Sequence, residues 1–108
     1  MRIIYLAVPL RRDVAPDLAR GRRWLAWIYR QHPDVIVIAP WLYELELRGH
    51  DPQLTDARLR QSVVVARFAD EVWLCGGQVT DSMRLEVHGA RAVQDLTDLG
   101  PEPPGDSA

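Results

Sequence analysis

The chain contains no lysine, and all 13 of its basic residues are arginine. A P-loop lysine for a nucleoside triphosphate, a Schiff-base amine and a lysine general base are therefore excluded together.

Cysteine and long apolar runs are also scarce. The one cysteine, Cys75, excludes an internal disulfide and fits a reducing compartment. No run approaches the roughly 20 apolar residues of a membrane span, and the N-terminus has no signal-peptide pattern. We therefore expect a cytoplasmic protein with no membrane partner. Because Cys75 ends a predicted buried strand, we interpret it as a small core side chain.

Several familiar site motifs are missing. We expect no metal, because the histidines lie far apart without ligand spacing: His32, His50 and His88,. No complete G-x-G-x-x-G follows a strand, and Gly76-Gly77 alone is a weak phosphate-loop signal,. Ser82 has no G-x-S-x-G frame, which argues against a hydrolase triad,. We expect no cofactor.

The charge is small overall but unevenly distributed. The net charge of -2 argues against a nucleic acid polymer as partner,. Residues 1–30 nevertheless carry seven arginines against Asp13 and Asp17. A local cluster of arginines without global basicity suits a small anionic ligand, although a solvated helix face accounts for most of these side chains.

Apolar runs alternate with helical patterns along the chain. Residues 3–8 and 35–39 are continuous apolar runs, typical of parallel strands buried on both faces,. The third predicted strand, Glu71 to Cys75, is apolar after its first residue. Helical stripes lie between them, the first made of Leu18, Gly21, Leu25 and Ile28,. Strands alternating with helices at this spacing predict right-handed crossovers and one α/β domain with a parallel sheet.

The C-terminal part of the chain is less regular. Residues 91–96 fit either the end of a helix or a short fourth edge strand, and we favour the strand. The predicted sheet then has four strands, and a sheet of five strands is the alternative. We assign the domain to residues 1–100. Residues 101–108 are rich in proline, glycine and acid, so we expect a loose, flexible tail that is dispensable for stability.

One carboxylate stands out within an apolar stripe. Met83, Glu86, Val87 and Ala90 share one face of a predicted helix,. Burying a carboxylate is costly unless it is paired or used, and α/β proteins bind ligands near the carboxyl edge of the sheet. Glu86 is therefore the candidate catalytic residue. The alternative is that it lies at the margin of the stripe and reaches water or an arginine.

The segment 41–52 is predicted to be a long connection after the second strand, and long loops at that edge usually carry function. Trp41 and Tyr43 could stack on a planar ring there. They could equally cover the sheet edge or a subunit interface. Trp27, off the helical stripe, also suggests an interface, so we expect a homo-oligomer, most simply a dimer.

Three blocks of sequence carry a family resemblance. They are residues 4–11 (IYLAVPLR), residues 38–43 (IAPWLY) and residues 69–86, from ADEVW to SMRLE. In this order and spacing the chain resembles the nucleoside 2-deoxyribosyltransferase-like superfamily, and most closely its small DUF4406-type branch. The resemblance implies a flavodoxin-like, Rossmann-like three-layer fold and oligomeric assembly.

The resemblance also implies an activity and a site. It makes Glu86 the nucleophile that attacks the anomeric carbon of a nucleoside or nucleotide. It implies that a 5′-phosphate is held by Thr80, Ser82, Arg11 and Arg12, and that Pro9 and Met83 lie at the substrate. Val8 departs from the family, which has glycine there, and this narrows the backbone approach to a ligand.

We therefore expect an N-glycosidic bond hydrolase or a deoxyribosyltransferase that forms a glycosyl-enzyme on Glu86, with a nucleoside or nucleotide as partner. Hydrolysis is favoured because the chain shows no obvious apparatus for holding an acceptor base. The alternatives are a non-catalytic nucleotide-binding or sensing module, and a structural interaction protein in which Glu86 is ion-paired. The expectation for Glu86 is an ionised carboxylate near neutral pH, favoured by the nearby helix start over desolvation.

Overall fold

The computed structural model describes residues 1–11, 13–48 and 55–105, with side chains for all of these except residues 46–48 and 55–61. Four strands and four helices are found in these ranges. The strands are β1 (Ile3–Ala7), β2 (Ile36–Ile38), β3 (Glu71–Leu74) and β4 (Val93–Asp95). The helices are α1 (Val14–Gln31), α2 (Pro40–Arg48), α3 (Thr55–Phe68) and α4 (Asp81–Val87), and one 3-10 turn follows at Thr97–Leu99.

The strands form one parallel sheet in the order β2-β1-β3-β4. β1 lies at its centre, where Tyr5 is opposite Ile38 of β2 and Val72 of β3. β4 adds to the far side of β3, with Val72 opposite Val93. The predicted α/β class, the parallel sheet and the favoured fourth edge strand are confirmed.

Helices cover both faces of the sheet, as in a flavodoxin-like three-layer domain. Along β1 the side chains alternate between the faces, because successive residues of a strand point in opposite directions. Ile4 and Leu6 pack with Trp24 and Ile28 of α1 on one face. On the other face Tyr5 and Ala7 pack with residues of α3 and α4, which are Ala66 and Met83.

The buried stripe of α1 differs from the predicted one. Its buried residues are Asp17, Gly21, Trp24 and Ile28, whereas Leu18 and Leu25 are only partly buried. Gly21 and Ile28 are buried as predicted, whereas Asp17 and Trp24 take the places of Leu18 and Leu25. Trp27 is partly buried and meets the ring of Trp24 edge-on, with centroids 5.6 Å apart.

The first part of segment 41–52 forms α2, so the prediction of a long connection is wrong there. Pro40 stands at the first helical position, where its missing N–H costs nothing, and residues 49–54 lie outside the described residues. Trp41 enters the core, and its indole N–H donates to the carbonyl of Leu6 at 2.8 Å. Trp41 and Leu45 belong to the same core as α1, so α2 packs into the domain.

The expected tail also contacts the domain. The indole N–H of Trp24 donates to the carbonyl of Pro101 at 2.9 Å, and Arg23 forms an ion pair with Glu102. The expectation that this segment packs against nothing is therefore wrong for its first residues, because a buried indole needs an acceptor. Residues 106–108 lie outside the described residues, and the dispensability of the segment stays a prediction.

Several large apolar side chains of the described residues are exposed on the α2, α3 and α4 surfaces: Tyr43, Val64, Phe68 and Leu85. Such surface is compatible with the predicted homodimer, which stays a prediction. Among the described residues, no helix has both the length and the apolar character that a bilayer crossing requires.

The contact between α1 and α2 predicts whether a glycine-to-alanine substitution raises or lowers stability. Replacing a helical glycine by alanine ordinarily stabilises a helix by about 1 kcal/mol. At Gly21 the new Cβ would lie 2.1 Å from Cη2 of Trp41, and that ring is fixed by its bond to Leu6. We expect Gly21→Ala to lower the free energy of unfolding in urea by about 1–3 kcal/mol.

The matched control is Gly105→Ala, where a Cβ meets nothing within 4 Å. It should change the free energy of unfolding by less than about 0.5 kcal/mol. A Gly21→Ala variant as stable as the parent would contradict the packing of Trp41 against α1.

Candidate active site

Glu86 is held by a short helix whose start is well defined. Thr80 caps α4: its Oγ1 accepts from the backbone N–H of Met83 at 3.2 Å, and its own N–H donates to Sδ of Met83 at 3.4 Å. Met83 is fully buried and anchors the helix in the core shared with β1. One turn later Glu86 points the same way, as the spacing of three residues predicts.

The carboxyl of Glu86 is buried and bonded to a tyrosine from the central strand. Glu86 is only 6% exposed and Tyr5 is fully buried. The hydroxyl of Tyr5 donates a hydrogen bond to Oε2 of Glu86. The inward position of Glu86 is thus confirmed, and the alternative in which it reaches water from the margin of the stripe is not what the structure has.

Two further polar side chains act on this pair. Glu44 of α2 is buried, and its charge raises the pKa of both Glu86 and Tyr5. Ser62 of α3, also buried, is hydrogen-bonded to Tyr5. The sheet and two of the helices, α2 and α3, therefore each contribute a polar group around Glu86.

Sequence reasoning missed these three residues. Tyr5 stands within an apolar run and was interpreted as strand core. Ser62 stands in the buried stripe of α3, and Glu44 within a segment predicted to be a connection. One feature of the sequence could have identified Tyr5. A carboxyl predicted to be buried needs a polar partner, and Tyr5 is the polar side chain in the adjacent strand.

The environment of Glu86 sets its protonation. Burial, the largest effect, raises its pKa from 4.5 to about 7, the hydrogen bond from Tyr5 opposes this, and the charge of Glu44 adds to it. Burial likewise raises the pKa of Tyr5, with Glu86 contributing. Burial therefore works against the ionised carboxylate expected near neutral pH, and the ionisation of Glu86 there stays a prediction.

The predicted phosphate-binding residues occupy two loops. The guanidinium of Arg11 is exposed, while its backbone N–H donates to Oδ2 of the buried Asp17 at 2.8 Å. Arg20 pairs with the other oxygen of Asp17 at 3.4 Å. Asp17 thus fixes the loop between β1 and α1. Arg12 lies outside the described residues.

The other predicted substrate residues are divided between core and surface. Pro9 and Trp41 are buried, as is Met83, and burial leaves Trp41 no open ring face for stacking. Tyr43 is 70% exposed and Ser82 is exposed at the start of α4. The structure brings Thr80, Met83 and Glu86 together on α4, but it does not bring Trp41 to that group, since Trp41 packs on the opposite face of the sheet.

Other chemistries find little in the described part of the chain. Cys75 is buried, and burial raises the pKa of its thiol to about 12, with a smaller effect from Asp95. A thiol with such a pKa is not a nucleophile at neutral pH. Among the described residues, no three His, Cys, Asp or Glu side chains are grouped to hold a metal ion.

Comparison of this chain with protein-family models, with curated proteins and with solved structures finds no match. The likeness to the nucleoside 2-deoxyribosyltransferase-like superfamily rests on the three sequence blocks and stays a prediction. What the structure adds is the buried Tyr5–Glu86 pair, which was not part of that prediction.

The raised pKa of Glu86 makes stability depend on pH. Between pH 4.5 and about 7 the folded chain holds the Glu86 proton and the unfolded chain releases it. The free energy of unfolding therefore falls as pH rises through this window, by roughly 3 kcal/mol at most. We expect Glu86→Gln, which cannot ionise, to remove this fall and to be more stable than the parent at pH 8.

Urea denaturation of both proteins at pH 4.5, 6 and 8 measures the difference. At pH 4.5 the two should be similar in stability, because the parent carboxyl is then protonated and resembles the amide in shape. Parallel pH dependences for parent and variant would contradict a raised pKa at Glu86.

Proposed function

We propose that this protein cleaves the N-glycosidic bond of a nucleoside or nucleotide, with Glu86 as the nucleophile. The observation that carries the proposal is the buried Glu86 carboxyl bonded to Tyr5. The described groups that shift its pKa are Tyr5 and Glu44, and neither is a cation. Burying a carboxyl costs stability, and carboxyls with strongly perturbed pKa values are typical of catalytic sites.

The reaction would proceed in two displacements. An oxygen of Glu86 forms a bond to the anomeric carbon, and the base leaves with the electron pair of the N-glycosidic bond and takes up a proton from solvent. Water then attacks the anomeric carbon of the glycosyl-enzyme, gives up a proton to solvent, releases the Glu86 carboxylate and yields free sugar. A second base in place of water would give a deoxyribosyltransferase. We favour water, for want of an evident acceptor-base subsite.

Tyr5 has a defined part in this scheme. Its hydrogen bond orients one oxygen of Glu86 and lowers the pKa of the carboxyl against the effect of burial. A pKa of about 7 leaves a large fraction of Glu86 ionised at neutral pH, in a desolvated setting where a carboxylate is more reactive. The strand residue therefore makes the helix residue usable as a nucleophile.

The anionic part of a nucleotide would lie at the loops that follow β1 and β3. The backbone N–H of Arg11 is bonded to Asp17 and the residue is exposed, so its guanidinium is open to an anion in solvent. Thr80 and Ser82 are proposed as further phosphate contacts on the strength of the family resemblance. Arg12 is proposed on the same ground.

A non-catalytic nucleotide-binding module is the second candidate. It is favoured by the protonation of Glu86, because about half of the carboxyl is neutral at pH 7 given a pKa of about 7. A neutral carboxyl binds a ligand by hydrogen bonds but does not attack an anomeric carbon. Turnover, rather than binding, separates the two candidates.

A panel of ribo- and deoxyribonucleosides and their 5′-monophosphates, followed by chromatography for free base, is the test. We expect the parent to release base and Glu86→Gln to lose at least about a thousandfold in kcat, because the nucleophile is removed. The matched control is Glu71→Gln, which changes a carboxyl paired with Arg2 at the surface and should stay within about twofold.

If no compound releases base while some bind, the binding module replaces the enzyme. If Glu86→Gln retains most of the activity, the mechanism is wrong.

Tyr5→Phe supplies an independent test through pH. Removing the hydroxyl removes the hydrogen bond that lowers the pKa of Glu86, so the acid limb of kcat/KM against pH should move upward by about one pH unit. The loss should be larger at pH 6 than at pH 8.5. A uniform loss at all pH values would show that Tyr5 acts on something other than the ionisation of Glu86.

A further inference from the structure

The loop between β3 and α4 is enclosed by two other parts of the chain. Gly76 has φ of +106° and Gly77 has φ of +86°, a conformation that glycine adopts readily. A Cβ on Gly76 would lie 2.4 Å from Cδ of Pro9. A Cβ on Gly77 would lie 2.8 Å from the backbone nitrogen of Pro101. The loop is thus packed between Pro9 and Pro101.

The segment around Pro101 is itself held by contacts with α1. Trp24 is fully buried in α1, and its indole N–H donates to the carbonyl of Pro101 at 2.9 Å. The next residue, Glu102, is ion-paired with Arg23. A cleft of about 240 Å³ continues between α1 and residues 102–105. The backbone at Pro101 is therefore fixed from a helix on the face of the sheet opposite α4.

We propose that residues 100–102 clamp the Gly76–Gly77 loop, and that Trp24 is a positioning residue for Glu86 that acts through Pro101. The part that concerns Glu86 rests on the proposed function. Three residues after Gly77, Thr80 caps α4, so the loop determines where that helix starts. With only seven residues, α4 has little length over which to correct a displaced start.

The size of the effect follows from the geometry of attack. A displacement of about 1 Å in a reacting group can cost a hundredfold in rate. Met83 anchors α4 in the core, so loosening the loop should displace the start of this helix by less than about 1 Å. We therefore expect losses of about tenfold in kcat, with KM changed by less than about twofold.

Two pairs of full-length variants test the clamp. Gly77→Ala forces a Cβ against Pro101. Its control is Gly89→Ala, which has similar backbone strain with φ of +85°, but whose nearest neighbour is the flexible side chain of Arg67, at 3.3 Å. Trp24→Phe removes the N–H that Pro101 accepts. Its control is Trp27→Phe in the same helix.

Amide hydrogen exchange at Met83 and Arg84, whose N–H groups are bonded to Thr80 at the start of α4, is the first readout and is measured without any ligand. Gly77→Ala and Trp24→Phe should exchange about tenfold faster there than the parent, by analogy with other local openings, and the two controls should not. Unchanged exchange in both test variants would overturn the clamp. If Trp24→Phe fails to fold because of its core cavity, Gly77→Ala decides the matter.

Base release by the same variants is the second readout. A tenfold lower kcat in the two test variants supports the positioning of Glu86, and parental kcat despite faster exchange overturns that role. A parent that releases no base from any nucleoside or nucleotide overturns the proposed function and the role at Glu86 with it. The exchange data still decide whether the clamp exists.

Discussion

The hydrogen bond between Tyr5 and Glu86 is the interaction around which the polar groups of this core are arranged. It joins the central strand to the last helix, and both groups are removed from water. A carboxyl in such a place raises the energy of the fold when it ionises, so the surrounding elements have to supply polar neighbours. Ser62 does so from α3 through Tyr5. Placing this pair inside the sheet–helix interface sacrifices stability, a pattern associated with function.

The architecture was largely predictable because it follows from hydrophobic patterning. Continuous apolar runs identified β1, β2 and β3, since a parallel strand covered on both faces has no polar side. Helical spacing placed Glu86 on the inward face. What the patterning could not supply was the partner of a buried polar group. Tyr5 is amphipathic, and in a continuous apolar run it is read as an apolar residue. Only its hydroxyl identifies it as part of the site. The direction of that hydroxyl depends on tertiary packing.

Other errors have specific physical causes. A proline after an apolar run ends a strand, but proline also begins helices, and α2 starts at Pro40,. Stacking of Trp41 on a planar ring and cover for the sheet edge or a subunit interface were the two interpretations, and the structure places its ring in the core. Here a glycine on α1, Gly21, leaves room for its ring. Such a complementarity between residues 20 positions apart is invisible to any local pattern. The tail was misjudged for the same reason, since Trp24 finds its acceptor at Pro101.

The packing of α2 restricts how this chain can change in length. Its consecutive residues Glu44 and Leu45 serve different sides of the molecule, because Glu44 acts on Tyr5 and Glu86 while Leu45 belongs to the core beneath α1. One residue inserted between Trp41 and Glu44 would rotate everything after it by about 100° about the helix axis. Trp41 would keep its place, but the side chains of Glu44 and Leu45 would be turned away from the sides of the molecule that they now face. Insertions and deletions are therefore excluded from α2 between Trp41 and Leu45. Chains descended from this one should vary in length elsewhere.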